Sequence, residues 1–226
     1  MDNLNYSSAI IFAPHPDDEI LGCGGTILKM IHQGIKVFVC VVTKGGEPLF
    51  HDSDVAHTRE ECLLLHKNIG IADTFFLDYP AAMLENVPRY ELNESLSSII
   101  QDIKPEIVFM PHPYDMQRDH QLVSEALMVA LRPKYSHKVK QALFYETLSE
   151  TEWNFPNAST FFIPNVYSDI SSYLTLKLEA MSHYQSQLAP FPNPRSLEAI
   201  EALAKYRGST VCVEAAEAFS LARGIF

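Results

Sequence analysis

Short apolar segments alternate with amphipathic segments along the first two thirds of the chain. Apolar runs predict five buried strands, at Ser8–Ala13, Lys36–Val42, Thr74–Leu77, Ile107–Met110 and Lys140–Tyr145. Apolar residues at helical spacing predict four helices between them, at Gly22–Gln33, Val55–Asn68, Tyr90–Asp102 and Asp119–Leu131. This alternation predicts an α/β fold: a three-layer α/β/α sandwich with a Rossmann-like, mainly parallel sheet and strands 1 and 4 adjacent.

The pattern loosens after Thr147. Phe161–Asn165 is compatible with a further strand, and Leu174–Gln187 and Leu197–Tyr206 have helical spacing. The chain of 226 residues contains neither a long linker nor an internal repeat, so we expect a single domain over residues 1–226.

Charge and composition exclude several classes of protein. With 17 basic and 28 acidic residues the net charge is −11, which disfavours nucleic acid and anionic membrane surfaces as partners. No apolar run approaches the ~18 residues of a membrane helix, and residues 1–8 lack the pattern of a secretory signal. The four scattered cysteines predict reduced thiols in a cytoplasmic protein.

Two loops rich in His and Asp follow strands 1 and 4. The first is Pro14-His15-Pro16-Asp17-Asp18-Glu19, and the second is Pro111-His112-Pro113-Tyr114-Asp115 followed by Asp119-His120. Both leave carboxyl ends of strands that flank the switch point of the predicted sheet, where ligands bind. Imidazole and carboxylate groups together suit zinc, and three such ligands plus a water form a catalytic site.

Each loop also has a purely structural interpretation. Asp and Pro commonly build helix-entry turns, and Asp119 could cap a helix with His120 in solvent. The convergence of both loops at one crevice favours the metal site. The glycines of Gly22-Cys23-Gly24-Gly25 suggest a dinucleotide, but G-x-G-x-x-G fails because residue 27 is Ile. Close packing of a helix on the sheet accounts better for these glycines.

At these positions the sequence resembles the PIG-L/LmbE-like zinc-dependent N-deacetylases. The resemblance lies in residues 13–19 and 21–26, Arg59-Glu60-Glu61, Asp119-His120, Ser186-Gln187 and Glu217-Ala218-Phe219. This family removes acyl groups, usually acetyl, from amino sugars such as N-acetylglucosamine and from their conjugates. The resemblance implies that His15, Asp18 and His120 bind Zn²⁺, that Asp17 is the general base and that Arg59 contacts substrate.

Two positions depart from the family's pattern. Gln117 stands where many members have a His that polarises the carbonyl, and Ala81 stands where members often have a substrate-contacting Asp. We assign Gln117 to the catalytic set, with His112 of the same loop as a substitute donor. Tyr114 and Asp115 join Arg59 as predicted substrate-binding residues.

These observations predict a zinc-dependent hydrolase that removes an N-acyl group from a small-molecule amino sugar or sugar conjugate. The departures at Gln117 and Ala81 motivate an alternative, a metal- or carbohydrate-binding protein of the same fold with lost or altered catalysis. A nucleotide-binding enzyme that uses the Gly22–Gly25 turn is a third candidate. Whether the chain forms a homo-oligomer is left open.

Overall fold

Seven strands form one sheet in the computed structural model, which describes residues 6–134 and 139–225. The strands are β1 (Ser8–Ala13), β2 (Lys36–Lys44), β3 (Asp73–Pro80), β4 (Ile107–Pro111), β5 (Gln141–Tyr145), β6 (Val166–Asp169) and β7 (Ala216–Gly224). Their order across the sheet is β3-β2-β1-β4-β5-β7-β6. The five strands β1 to β5 pair in parallel, whereas β7 is antiparallel to both β5 and β6.

Six α-helices in the same described ranges cover the two faces of the sheet. They are α1 (Asp18–His32), α2 (Asp52–Ile69), α3 (Arg89–Ile103), α4 (Arg118–Ala130), α5 (Leu174–Met181) and α6 (Leu197–Ser209). Successive residues of β1 point to opposite faces: Ile11 packs in a core with α1, α2, α5 and α6, and Ile10 packs in a core with α3 and α4. The predicted three-layer fold and the adjacency of strands 1 and 4 are confirmed.

Some element boundaries differ from the prediction. Helix α1 begins at Asp18 rather than Gly22, so Asp18 and Glu19 lie in its first turn, where negative charge is favourable. The strand predicted at Phe161–Asn165 is wrong, because the chain enters the sheet only at Val166. The helix predicted to continue to Gln187 ends at Met181 and is followed by a short 3₁₀ turn.

Strand β7 is absent from the prediction because it carries a buried charge in place of an apolar run. The carboxylate of Glu217 accepts hydrogen bonds from the backbone N–H groups of Gly25 and Thr26, at 2.8 and 2.7 Å. Lys177 Nζ donates to Glu217 at 2.6 Å and to the carbonyl oxygen of Leu21 at 2.8 Å. The buried charges are therefore paired and hydrogen-bonded, as burial requires.

Helix α1 approaches β5 closely at Gly22. A Cβ atom at this position would overlap the ring of Tyr145, a fully buried side chain. This contact supports the packing interpretation of the glycine cluster over the dinucleotide one.

Residues 1–5, which carry most of the N-terminal segment considered for a secretory signal, lie outside the described residues. Within the described part of the chain, no helix combines the length and apolar character needed to cross a membrane.

Candidate metal centre and catalytic cleft

The two His/Asp loops meet at the carboxyl ends of β1 and β4. His15 and Asp18 follow β1, and His120 lies in the first turn of α4, which follows β4. Their ligating atoms all lie within 4.8 Å of one another. Asp18 and His120 are fully buried. The fold thus brings the three predicted metal ligands together, since carboxyl ends of adjacent parallel strands share one edge of the sheet.

Each histidine of this cluster is oriented by a second carboxylate. His15 Nε2 lies 3.0 Å from Asp119 Oδ2, and His120 Nδ1 lies 2.9 Å from Asp115 Oδ2. The opposite ring nitrogens, His15 Nδ1 and His120 Nε2, each lie 3.3 Å from Asp18 Oδ2. A carboxylate behind each imidazole is the usual support of metal-ligating histidines, because it sets the tautomer and the ring orientation.

Two atoms of the cluster are buried without a hydrogen-bond partner among the described residues. They are Asp18 Oδ1 and His120 Nε2, which lies 3.3 Å from Asp18 Oδ2 without forming a hydrogen bond to it. Unpaired buried polar atoms are costly, and a cation between them would satisfy both. Two imidazole nitrogens and a carboxylate are a donor set that suits Zn²⁺. The residues present therefore fit a zinc ion.

The electrostatics of the cluster also favour positive charge. Burial alone lowers the pKa of His15, but its hydrogen bonds to Asp119 and Asp18 outweigh burial and raise the pKa to about 9. Burial likewise opposes ionisation of Asp18, yet the neighbouring His120 and His15 hold its pKa well below the usual range. The carboxylates thus stabilise cationic partners, a role that a metal ion would also fill.

Asp17 lies next to the cluster in an unusual backbone conformation. Its φ of 118° and ψ of −30° place it in a region that L-residues rarely adopt, at a cost of roughly 1–3 kcal/mol. Its N–H donates to Glu19 Oε2 at 3.0 Å, and its carboxylate accepts a hydrogen bond from Arg195. Burial raises the pKa of Asp17 to about 7, against the lowering effect of Arg195 and with a further increase from Asp18.

Arg195 and Glu150 belong to this region, although neither is among the sequence-predicted site residues. Arg195 also donates through Nε to Ser149 Oγ at 2.8 Å. Glu150 accepts the N–H of Gln117 at 3.1 Å, and burial raises its pKa. Arg195 is separated from Asp17 by 178 residues along the chain. A lone arginine beside a Pro-rich stretch is the only sequence signal that could have marked it.

A second buried cluster surrounds Glu19, the residue that accepts the N–H of Asp17. Glu19 Oε1 accepts from Tyr184 Oη at 2.6 Å and lies 3.2 Å from His66 Nε2, while His66 Nδ1 lies 2.8 Å from Thr74 Oγ1. Cys62 Sγ lies beside the same ring, 3.7 Å from Nδ1. Glu19, Cys62 and His66 could also hold a metal by distance. Since both ring nitrogens and both Glu19 oxygens already have partners, we interpret this cluster as a hydrogen-bonded support.

A cleft of about 330 Å³ opens in front of His15 and Asp17. Arg59 of α2 lies on its wall, over the ring of Phe76 at 4.6 Å and 2.5 Å from Asp78 Oδ1. The ion-pair partner of Arg59 thus lies on β3 and not on its own helix. Gln117 also lines the cleft, and its buried Oε1 has no hydrogen-bond partner among the described residues. Both side chains therefore remain candidates for substrate contact.

The other predicted residues of the second loop are placed differently. Asp115, predicted to bind substrate, is fully buried and does not line the cleft: its Oδ2 lies on His120 and its Oδ1 accepts from Thr151 at 2.6 Å. His112 Nε2 donates to the carbonyl of Thr160 at 3.0 Å, and neither it nor Tyr114 lines the cleft. His112 is 6% exposed and Tyr114 is 47% exposed.

The structural interpretation of Asp119-His120 also fails. Helix α4 begins at Arg118 with Gln117 at the N-cap, and both Asp119 and His120 are buried. Asp119 Oδ2 accepts the N–H of Ala82 at 2.7 Å in addition to facing His15. Ala81 lies on the cleft wall. The cleft of this protein therefore has a methyl group where many family members have a carboxylate.

Comparison with known proteins agrees with this geometry. The family model of PIG-L, described as GlcNAc-PI de-N-acetylase, matches residues 10–131. This is more than half of the chain, and the chain therefore belongs to the PIG-L family, which confirms the resemblance seen in the sequence.

Two relatives and one solved structure illustrate the similarity. The chain is 28% identical over 201 residues to an uncharacterized deacetylase of Escherichia coli K12, covering 82% of this chain and 98% of the relative. It is 28% identical over 196 residues to a probable N-acetyl-alpha-D-glucosaminyl L-malate deacetylase 2 of Bacillus anthracis, covering 82% and 83%. N,N'-diacetylchitobiose deacetylase of Pyrococcus horikoshii superposes with a TM-score of 0.77 at 23% identity, covering 96% and 84%.

Proposed function

We propose that this protein is a zinc-dependent hydrolase that removes an N-acyl group, most simply N-acetyl, from an amino sugar or a sugar conjugate. The observation that carries the proposal is the cluster of His15 Nδ1, Asp18 and His120 Nε2 beside a buried carboxylate, Asp17, at one end of a cleft. The deacetylases among its relatives support the same class of reaction. The free thiols of all four cysteines suit a cytoplasmic enzyme.

His15, Asp18 and His120 would hold the zinc ion. When bound, zinc supplies Lewis acidity, which lowers the pKa of water and polarises a carbonyl oxygen. Asp115 and Asp119 keep the two imidazoles in the ligating orientation through their 2.9 and 3.0 Å contacts. Three protein ligands are the number typical of catalytic zinc sites, whereas structural zinc sites have four.

Asp17 is the general base of this proposal. Its carboxylate accepts the proton of the attacking water and then delivers that proton to the nitrogen of the leaving amine. The hydrogen bond from Arg195 and the strained turn at Asp17 restrict where this carboxylate can point. Such positioning lowers the entropic cost of bringing base and water together.

Gln117 is the proposed donor to the carbonyl oxygen. As the acyl carbon is attacked, negative charge develops on this oxygen, and a side-chain amide N–H beside it stabilises that charge. A neutral amide has no proton to give at pH 7, so proton delivery to the amine stays with Asp17. His112 is less suited to this role, because its Nε2 is already bonded to Thr160 and it lies off the cleft wall.

Acetate release from a panel of N-acetylated amino sugars, measured with the zinc-loaded protein, tests this function. We expect turnover by the wild type, and a loss of ~10²–10⁴-fold in kcat for Asp17→Asn with zinc content unchanged. Asp102→Asn, on the exposed side of α3, is the matched control and should match the wild type. A zinc-loaded wild type that binds these sugars without releasing acetate would favour a binding protein of the same fold.

A further inference from the structure

Apolar side chains form one wall of the cleft at its solvent-exposed end. Leu49 and Phe50 are 54% and 42% exposed, and Val55 of α2 lies half-buried beside them on the same wall. Apolar side chains in the wall of a cleft, beside a few polar groups, are the usual lining of a small-molecule site. Neither the metal centre nor Asp17 requires such a wall.

The chain presents these side chains on a defined turn between β2 and α2. The N–H groups of Leu49 and Phe50 both donate to the carbonyl of Gly46, at 3.1 and 3.0 Å. Phe50 and Val55 pack against Gly45 closely enough that a Cβ atom there would lie 3.0 Å from Phe50 Cγ and 2.9 Å from Val55 Cγ2. The apolar wall is thus held by local packing.

The position of this wall along the cleft determines which part of a substrate it meets. Asp17 is 1% exposed, whereas Leu49 and Phe50 are 54% and 42% exposed, so Asp17 lies deeper in the cleft than these two side chains. A scissile amide must reach Asp17, so the group beside Leu49 and Phe50 is a part of the substrate remote from the amide. In a sugar conjugate, that part is the aglycone.

The charges on the cleft wall indicate a neutral ligand. Among the described residues, three carboxylates and three Lys or Arg side chains line it: Asp17, Asp54, Glu150, Lys44, Arg59 and Arg195. Two of the cations are already paired, Arg195 with Asp17 and Arg59 with Asp78. The wall therefore carries no excess positive charge with which to select an anionic aglycone.

From these observations we propose that the substrate is an N-acylated amino sugar joined to an uncharged apolar aglycone, such as an aryl or short alkyl group, that packs on Leu49 and Phe50. This inference rests on the proposed deacylase function and adds a substrate class to it. It assigns Leu49 and Phe50 as specificity-determining residues.

Matched glycosides of N-acetylglucosamine with methyl, phenyl and carboxymethyl aglycones test the inference with the zinc-loaded enzyme. Burial of a phenyl ring on this wall should raise kcat/KM about tenfold over the methyl glycoside, whereas the carboxymethyl glycoside should show no gain. In the double variant Leu49→Ser/Phe50→Ser, the phenyl-to-methyl ratio should fall to about one. The control double variant Phe155→Ser/Leu176→Ser removes exposed apolar side chains that do not line the cleft and should keep the wild-type ratio.

The outcomes separate this inference from the proposed function. Turnover of both neutral glycosides at equal kcat/KM would overturn the apolar aglycone and leave the deacylase function standing. If no glycoside is hydrolysed, the affinities of the phenyl and methyl glycosides are measured by calorimetry. Tighter binding of the phenyl glycoside that is lost in the Leu49→Ser/Phe50→Ser variant supports the apolar aglycone, whereas equal binding overturns it. Wild type and the Leu49→Ser/Phe50→Ser variant are also compared on N-butyryl and N-acetyl substrates. If the variant changes the butyryl-to-acetyl ratio but keeps the wild-type phenyl-to-methyl ratio, the wall contacts the acyl group and the proposal is overturned.

Discussion

Asp115 Oδ2 lies 2.9 Å from Nδ1 of His120, and both residues are fully buried. The contact leaves Nε2 of the same ring facing Asp18 across 3.3 Å. Because Asp115 holds Nδ1, the ring orientation of His120 is fixed with Nε2 directed into the candidate metal centre. Asp115 thus positions the imidazole of His120.

Asp115→Asn should weaken zinc binding by ~10–100-fold, because an amide holds the His120 ring less firmly and lowers its basicity as a ligand. The zinc dissociation constant, measured by competition with a chromogenic chelator, checks this. Asp78→Asn, which alters a carboxylate paired with Arg59 instead, is the control and should bind zinc as the wild type does. Equal affinities of wild type and Asp115→Asn would remove Asp115 from this role.

His120→Ala should abolish stoichiometric zinc, since the cluster would keep only two of its three ligands. His112→Ala is the matched control, because His112 belongs neither to the ligand set nor to the cleft wall, and this variant should retain one zinc per chain. Elemental analysis of both purified variants measures the outcome. One zinc per chain in His120→Ala would show that the ligand set is wrong.

Gln117→Ala should lower kcat/KM without changing the shape of the pH–rate profile. A positioned oxyanion donor is typically worth about 2.7–4 kcal/mol, and we expect a smaller loss because a metal would share the developing charge. Steady-state kinetics on a turned-over N-acyl substrate from about pH 5 to 9 measure both quantities. Gln117→His should add a titrating group and alter the profile. Kinetics of Gln117→Ala identical to wild type would make Gln117 a structural element of the loop.

Gly22→Ala should destabilise the protein by roughly 1–3 kcal/mol, because the added methyl group overlaps the buried Tyr145 ring. That ring cannot move freely, since its Oη donates to the carbonyl of Phe12 at 2.9 Å. Gly46→Ala is the matched control: a Cβ atom there meets nothing within 4 Å. Urea denaturation of the two variants measures the difference. Equal stabilities would mean that α1 and β5 separate at little cost.

The salt link of Glu106 predicts a pH-dependent contribution to stability. Its carboxylate lies 2.5 Å from Lys140 Nζ and accepts hydrogen bonds from Ser7, and these contacts lower its pKa to about 2. Since the folded-state pKa lies below the unfolded value of ~4.3, this contribution is fully present above about pH 5 and is lost as the pH falls towards 2. Glu106→Gln should therefore be less stable than the wild type at about pH 6, with the gap closing towards about pH 2.

Chemical denaturation of wild type and Glu106→Gln between about pH 2.5 and 7 gives the free energy of unfolding at each pH. Glu85→Gln, at an exposed position, serves as the control for loss of one negative charge. A gap between wild type and Glu106→Gln that stays constant over this range would contradict the lowered pKa of Glu106.

The sequence by itself determined the five parallel strands of the sheet and the location of the candidate metal centre. Apolar runs such as Ser8–Ala13 report burial on both faces, and burial on both faces is a property of parallel strands covered by helices. Once β1 and β4 are neighbours, their following loops must meet at one edge of the sheet. The convergence of His15, Asp18 and His120 follows from local pattern and this topological rule.

Tertiary structure decided the contacts that join distant parts of the chain. The sequence does not distinguish Asp115 from Asp119, because both are acidic residues of the same His/Asp-rich loop. In the structure Asp115 contacts His120 and Asp119 contacts His15. Arg195 reaches Asp17 across 178 residues, and Glu217 enters the sheet as a buried charge because Lys177 compensates it. Hydrophobic periodicity predicts which residues are buried. It does not predict which distant residue pairs with a buried charge, because that depends on tertiary packing.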